Sequence, residues 1–343
     1  MRRKKFESII LHVGHDKTGS TSIQSALDLH RGGLLREGVL YPHGRWHHRL
    51  GSYFHDEPEN YGENPPAGRA RIRSLDEEWM GHLLEEVCST SARHVIMSYE
   101  DFFSLPEIVW IRIRRFLLGH TDHIRLVGYC RRPEKYAVSA ISQRVKSGEL
   151  PWGSHTGGLA ELRASQLPRA PDWRLGLPIV FYRHELPKMA RVFGKENVLL
   201  RKFGRDELPG GDVVADFLSL FGLSDPLIRK ISGSSSRENP SLGAVAIRVG
   251  VFLIQRRGVL KISAAEFRAR IVPLLEDLAG LKPVLNDDER WIIREASRKD
   301  SVYLEKEWGI SFRDKGGGLS APLILGEEEV ESLAADIMKR AGF

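Results

Sequence analysis

Lys17, Thr18, Gly19, Ser20, Thr21 and Ser22 set a cation, a glycine and a run of hydroxyls in consecutive positions. An apolar run precedes them (Ile9, Ile10, Leu11, Val13), broken at Gly14, and helical spacing follows at Ile23, Ala26 and Leu27. Strand, glycine loop and helix amino terminus in that order make an anion site. Unpaired backbone N–H groups converge there, the helix dipole adds partial positive charge, and Lys17 adds a full one. The loop is not a Walker A sequence, which puts lysine directly after its second glycine. Here Gly14 and Gly19 keep that spacing, but position 20 is serine and the lysine stands at 17. Nor is it a dinucleotide fingerprint, because His15 and Asp16 occupy positions that would need G-x-G-x-x-G. The plainer alternative is a glycine turn that only caps a helix.

A second constellation lies in CRRPEKYAVSAISQ (130–143). Arg131 leaves the end of an apolar run and Ser139 stands two turns into the helix that follows. A guanidinium fork and a hydroxyl so spaced can clamp one phosphate.

The elements that must position these groups follow from periodicity. Apolar strands are expected at 9–13, 38–42, 94–98, 124–130 and 197–203, and helices at 74–87, 106–118, 134–146, 184–193 and 212–222. Ser74-x-x-Glu77 reads as a capping box, and Gly32-Gly33 as the stop of the first helix. Strands alternating with helices call for a parallel α/β sheet with helices on its faces. Lys17, Glu100 and Arg131 then all fall at carboxyl ends of strands, where such sheets bind ligands. Beyond residue 239 only helical periodicity remains, at 241–256, 264–279, 286–299 and 328–341. The expected organisation is an α/β core over 1–238 and a mostly helical C-terminal part over 239–343 packed on it, with 231–239 as linker or, equally, as a loop covering a cofactor. Residues 43–72 and 148–178 lack periodicity and read as long surface loops. The first holds His43, His47, His48 and His55. Zinc is disfavoured there, since no cysteine is near and His47 and His48 diverge in any regular element. A histidine touching a bound substrate fits better.

At 343 residues the chain can bury a sizeable core. It has 51 basic against 45 acidic residues, a net +6 that suits an anionic ligand and falls short of a dedicated nucleic-acid binder. Cys88 and Cys130 sit in apolar segments and read as two buried thiols of a reducing compartment. No apolar run is long enough to span a membrane, and MRRKK is followed by no signal-type apolar stretch. A cytoplasmic protein is expected. Its oligomeric state is not legible.

The order Lys-Thr-Gly-Ser-Thr resembles the 5′-phosphosulfate loop of sulfotransferases that use 3′-phosphoadenylyl sulfate. The form H-x-G-x-x-K-T-G-[ST]-T-S-x-Q is similar to that of bacterial members. MSYED (97–101) resembles the strand end that carries the family's base, and the segment from Phe193 to Leu223 its later core strand and helix. NPSLGAVAIR (239–248) resembles the segment opening its helical C-terminal part. The resemblance implies a P-loop-like sulfotransferase fold and a sulfuryl donor, with 3′-phosphoadenosine-5′-phosphate as product and no metal. It implies that Lys17, Thr18, Gly19, Ser20, Thr21 and Ser22 hold the 5′-phosphate and that Arg131 and Ser139 grip the 3′-phosphate. Lys17 would neutralise the leaving phosphate. Glu100 stands where the better-studied enzymes place a histidine base, and His48 is the reserve base. Arg313-x-Lys315-Gly316-Gly317 is faintly similar to the family's Arg-Lys-Gly cofactor loop. The acceptor would be a small molecule or carbohydrate. A P-loop kinase with magnesium at Glu100 or Asp101, or a nucleotide binder without turnover, are the alternatives.

Overall fold

The structure is a computed structural model that describes residues 6–61, 64–150, 179–204, 206–234, 241–278, 285, 287–312 and 326–343. Five strands, β1 (Ser8–Gly14), β2 (Val39–Leu40), β3 (His94–Ser98), β4 (Ile124–Arg131) and β5 (Val198–Phe203), form one parallel sheet in the order β2-β3-β1-β4-β5. The protein is α/β, with helices flanking this sheet. The apolar runs are near-continuous because both faces are covered, as parallel strands require.

The chain divides into two compact units, Met1–Arg131 with Tyr182–Glu238, and Arg132–Phe181 with Asn239–Phe343. The first unit holds the sheet, α1 (Ser20–Leu29), α2 (Arg31–Arg36), α3 (His48–Phe54), α4 (Arg69–Ser89), α5 (Glu107–Leu117), α7 (Tyr182–Phe193), α8 (Val213–Leu218) and α9 (Asp225–Ser234). On one sheet face Ile10, Ile96, Val127 and Tyr129 pack with Ile23 and Leu27 of α1 and with Val214, Phe217 and Leu218 of α8. The opposite register positions, Ile9, Leu11, Val95, Met97 and Leu126, are buried as well. The fully buried Trp110 of α5 meets Phe193 of α7 edge-on at 5.4 Å.

The second unit contains α6 (Pro133–Lys146), α10 (Ala244–Arg256), α11 (Ala264–Glu266), α12 (Val272–Glu276), α13 (Asp287–Ala296), α14 (Arg298–Trp308) and α15 (Glu327–Arg340). Val145 of α6 joins Val249 and Leu253 of α10 and Ala334 and Ile337 of α15 in one apolar cluster.

Five sequence expectations are corrected. Gly32 and Gly33 lie inside α2, which needs no glycine-free stretch because Leu34 alone anchors its single buried face. Ser74 and Glu77 fall inside α4, whose amino cap is Gly68. Residues 43–72 are not one loop. α3 forms within them and is fixed by Asp76 of α4, whose buried carboxylate accepts from Arg49 at 2.9 Å and Ser52 at 2.7 Å. Cys88 is exposed near the end of α4, and only Cys130 is buried. Residues 231–234 belong to α9 rather than to a linker. The remainder of that linker from 235, nearly all of the 148–178 segment and Arg313 to Gly317 lie outside the described residues.

Candidate functional site

Gly14 ends β1 at a φ of +68°. A Cβ there would stand 2.7 Å from the Cα of Glu100, so only glycine lets the loop leave β1 against the end of β3. His15 follows. Its ring is buried edge-on to Phe103 at 5.5 Å, and its Nε2 shares a 2.6 Å hydrogen bond with the Tyr182 hydroxyl. Thr18 donates back to the His15 carbonyl at 2.6 Å, which closes the turn. Gly19 is the amino cap of α1 at φ +82° and provides no side-chain cap. The first-turn N–H groups of α1, among them those of Ser20, Thr21 and Ser22, are left to whatever anion the loop receives.

Two long-range contacts complete the loop. The Arg131 guanidinium donates through Nη1 to the Lys17 carbonyl at 2.6 Å and lies over the Phe203 ring at 5.2 Å. The Arg131 N–H donates to the Tyr182 hydroxyl at 3.2 Å. Tyr182 therefore ties the loop, through His15, to the end of β4. Sequence reading missed both residues. The one available signal was a tyrosine opening an amphipathic helix, which by itself says nothing about where its hydroxyl points.

Glu100 opens the 3-10 turn Glu100–Ser104 that follows β3. Ser20, Lys17, Asp101 and Asp16 lie within reach of its carboxylate. Burial holds its proton affinity above the ordinary carboxylate value; Asp101 and Asp16 push the same way, and Ser20 and Lys17 oppose them. The structure thus brings Lys17, Ser20, Glu100 and Arg131 to one loop. Ser139 belongs to the second unit, half-buried on α6.

The neighbouring histidines divide by role. His47 is structural. Its Nδ1 accepts from the Ser98 N–H at 3.0 Å, so Nε2 carries the proton and donates to the Pro42 carbonyl at 3.2 Å. Burial pulls its pKa down to about 4. His12, wholly buried, bonds through Nδ1 to Ser98 Oγ at 2.7 Å, and burial pulls it to about 3. His48 opens α3 with its ring 5.7 Å from that of Tyr99. Both its ring nitrogens are buried with no hydrogen-bond partner, and desolvation, aided by Arg49, lowers it to about 4.

No family model matches the chain, and no curated protein does. Among solved structures the chain is similar to a sulfotransferase. That structure, "Crystal Structure of Sulfotransferase from Alicyclobacillus acidocaldarius", is 14% identical over 89% of this chain and 95% of its own, with a TM-score of 0.42. No helix among the described residues is long and apolar enough to cross a membrane. Among the same residues no three His, Cys, Asp or Glu side chains could jointly hold a metal ion.

Proposed function

We propose that this protein transfers a sulfuryl group from 3′-phosphoadenylyl sulfate to a hydroxyl or amine of a small-molecule or carbohydrate acceptor. The observation that carries the reading is the meeting of two separate sequence signals. Arg131, from the arginine–serine pair, reaches the carbonyl of Lys17 in the Lys-Thr-Gly-Ser-Thr loop at 2.6 Å. The donor set suits a doubly phosphorylated nucleotide: a cation, an uncapped helix terminus, several hydroxyls and a guanidinium. When bound, the donor would supply the sulfuryl group, its 5′-phosphate keeping the bridging oxygen as the leaving group on the nucleotide product.

In this reading Lys17 and the N–H groups from Gly19 to Ser22 stabilise charge on the 5′-phosphate. Arg131 holds the 3′-phosphate. Glu100 removes the acceptor's proton. A carboxylate whose proton affinity is raised by burial is a better base near neutrality than one at its ordinary value. His48, pulled to about 4, is the weaker candidate. Catalysis of this kind rests on positioning and charge stabilisation, as in phosphoryl transfer.

Calorimetry without metal, comparing 3′-phosphoadenosine-5′-phosphate with ADP, tests the proposal. The expected result is tight binding of the first alone, with Lys17→Ala lowering sulfuryl-transfer turnover by about 10²–10³. Equal binding of both nucleotides, or a Lys17→Ala protein with undiminished turnover, refutes it. Metal-dependent binding of both would favour a kinase.

A further inference from the structure

Three wholly buried polar side chains lie beneath the anion loop, where apolar ones would cost less to bury: His12 of β1, Gln24 of α1 and Ser98 at the end of β3. The His12 ring meets those of Phe217 at 5.1 Å and Tyr129 at 6.2 Å, so the surroundings are aromatic and apolar. Gln24 Nε2 donates to Ser98 Oγ at 3.2 Å, which directs the Ser98 proton to His12 Nδ1 at 2.7 Å. His12 Nε2 and Gln24 Oε1 have no hydrogen-bond partner. Two buried polar atoms left unpaired make the cluster a poor source of stability. What it fixes is geometry. Gln24 stands four residues after Ser20 on the buried face of α1, one turn below the N–H groups offered to the anion. Ser98 stands two residues before Glu100. Its backbone is held twice by His47, whose N–H donates to the Ser98 carbonyl at 3.1 Å and whose Nδ1 accepts from the Ser98 N–H at 3.0 Å. His47 is the amino cap of α3, which His48 opens. One serine therefore joins the anion-loop helix, the strand that leads to Glu100 and the start of α3.

We propose that Gln24 and Ser98 are positioning residues: the hydrogen bond between them holds the Glu100 turn and the start of α3 in register with a nucleotide bound on α1. The inference rests on the sulfuryl-transfer reading, which puts a phosphate on the first turn of α1 and the acceptor beside Glu100. Donor and base are then carried by different elements, and a misplacement of about 1 Å between them can cost about 10²-fold in rate. Strand pairing fixes β3 against β1. Apolar packing alone resists sliding or turning of α1 only weakly, because it is non-directional. A hydrogen bond from Gln24 to the end of β3 is directional and removes that freedom.

Hydrogen–deuterium exchange of the full chain, with and without 3′-phosphoadenosine-5′-phosphate, tests the proposal. In the wild-type protein the nucleotide is expected to slow exchange in the first turn of α1, at the His47 and Ser98 amides and in the turn Glu100–Ser104. Gln24→Met keeps the shape of the side chain, removes the unpaired carbonyl and leaves Lys17 and the loop N–H groups in place. It is expected to bind the nucleotide as the wild type does and to keep the slowing in α1. At His47 and Ser98 the slowing should fall by about two- to tenfold, the worth of one hydrogen bond read as an opening equilibrium. Ser98→Ala should match Gln24→Met, and Ser98→Thr, which retains the hydroxyl, should match the wild type. A merely structural role would speed exchange with and without nucleotide alike and leave the nucleotide-induced difference intact. That result, or a wild-type protein slowed only in the loop and α1, overturns the inference. If one of the two variants lacking the bond does not fold, the other decides. A wild-type protein that binds no 3′-phosphoadenosine-5′-phosphate is a different result: it refutes the sulfuryl-transfer reading, and the positioning role with it.

Discussion

Gly19→Ala isolates what the anion loop demands of its backbone. Gly19 sits at φ +82° and ψ 13°, where an L residue is strained by about 1–2 kcal/mol. A Cβ there would lie 2.8 Å from Val213 Cγ1 and 3.0 Å from Phe203 Cε2. Overpacking of that kind costs about 1–3 kcal/mol, so the sum is about 2–5 kcal/mol. In a unit of roughly 150–250 residues each kcal/mol moves the melting temperature by about 2–4 °C, so a fall of roughly 4–20 °C is expected. Gly222→Ala is the internal control. Its φ is +62°, but an added Cβ meets nothing within 4 Å, so only the conformational strain remains. Thermal melts of the two variants, followed by circular dichroism, should differ by the overpacking share. The loss at Gly19 should also weaken 3′-phosphoadenosine-5′-phosphate binding, since Phe203 and Val213 would be pushed from the loop. Equal melting temperatures for the two variants would refute the claim that β5 and α8 press against the loop at this glycine.

Tyr182→Phe removes the hydroxyl that serves the buried His15 ring and the Arg131 N–H. Loss of these two hydrogen bonds should cost about 1–3 kcal/mol in urea unfolding, and nucleotide affinity should fall because the loop and the end of β4 lose their tie. An unfolding midpoint and an affinity both unchanged would contradict that link. The buried histidines set a pH dependence. His12 and His47 titrate near 6.5 when unfolded and are held at about 3 and about 4 when folded. Between those limits the unfolded chain binds more protons, so stability is complete above about pH 6.5 and falls as the pH drops below it, by several kcal/mol in the limit of full protonation. Urea midpoints should decrease steadily from about pH 7.5 to 5. A flat profile there would mean that neither ring is buried neutral.

Local spacing determined much of this protein. The runs at Ile9–Val13, His94–Ser98 and Ile124–Cys130 are apolar without alternation, which is what a strand covered on both faces must be, and the structure places β1, β3 and β4 there. The glycines and hydroxyls of residues 14–22 announced a loop feeding a helix terminus because backbone conformation is a local property. Helix α3 escaped the same reading. It is only His48–Phe54, too short for a periodic signal, and depends on Asp76 from another helix.

Tertiary structure alone decided which side chains meet. His15 and Tyr182 are 167 positions apart, and Arg131 reaches a carbonyl 114 positions away. No periodicity encodes such pairs. They follow from strand order, since β4 and β3 flank β1 and deliver Arg131 and Glu100 to the two sides of the loop that β1 carries. The same packing separated His47, locked between Ser98 and Pro42, from His48, whose ring nitrogens lack partners. Adjacent residues of one type acquire different chemistry because burial and partners belong to the fold, whereas the sequence specifies only the side chain that meets them.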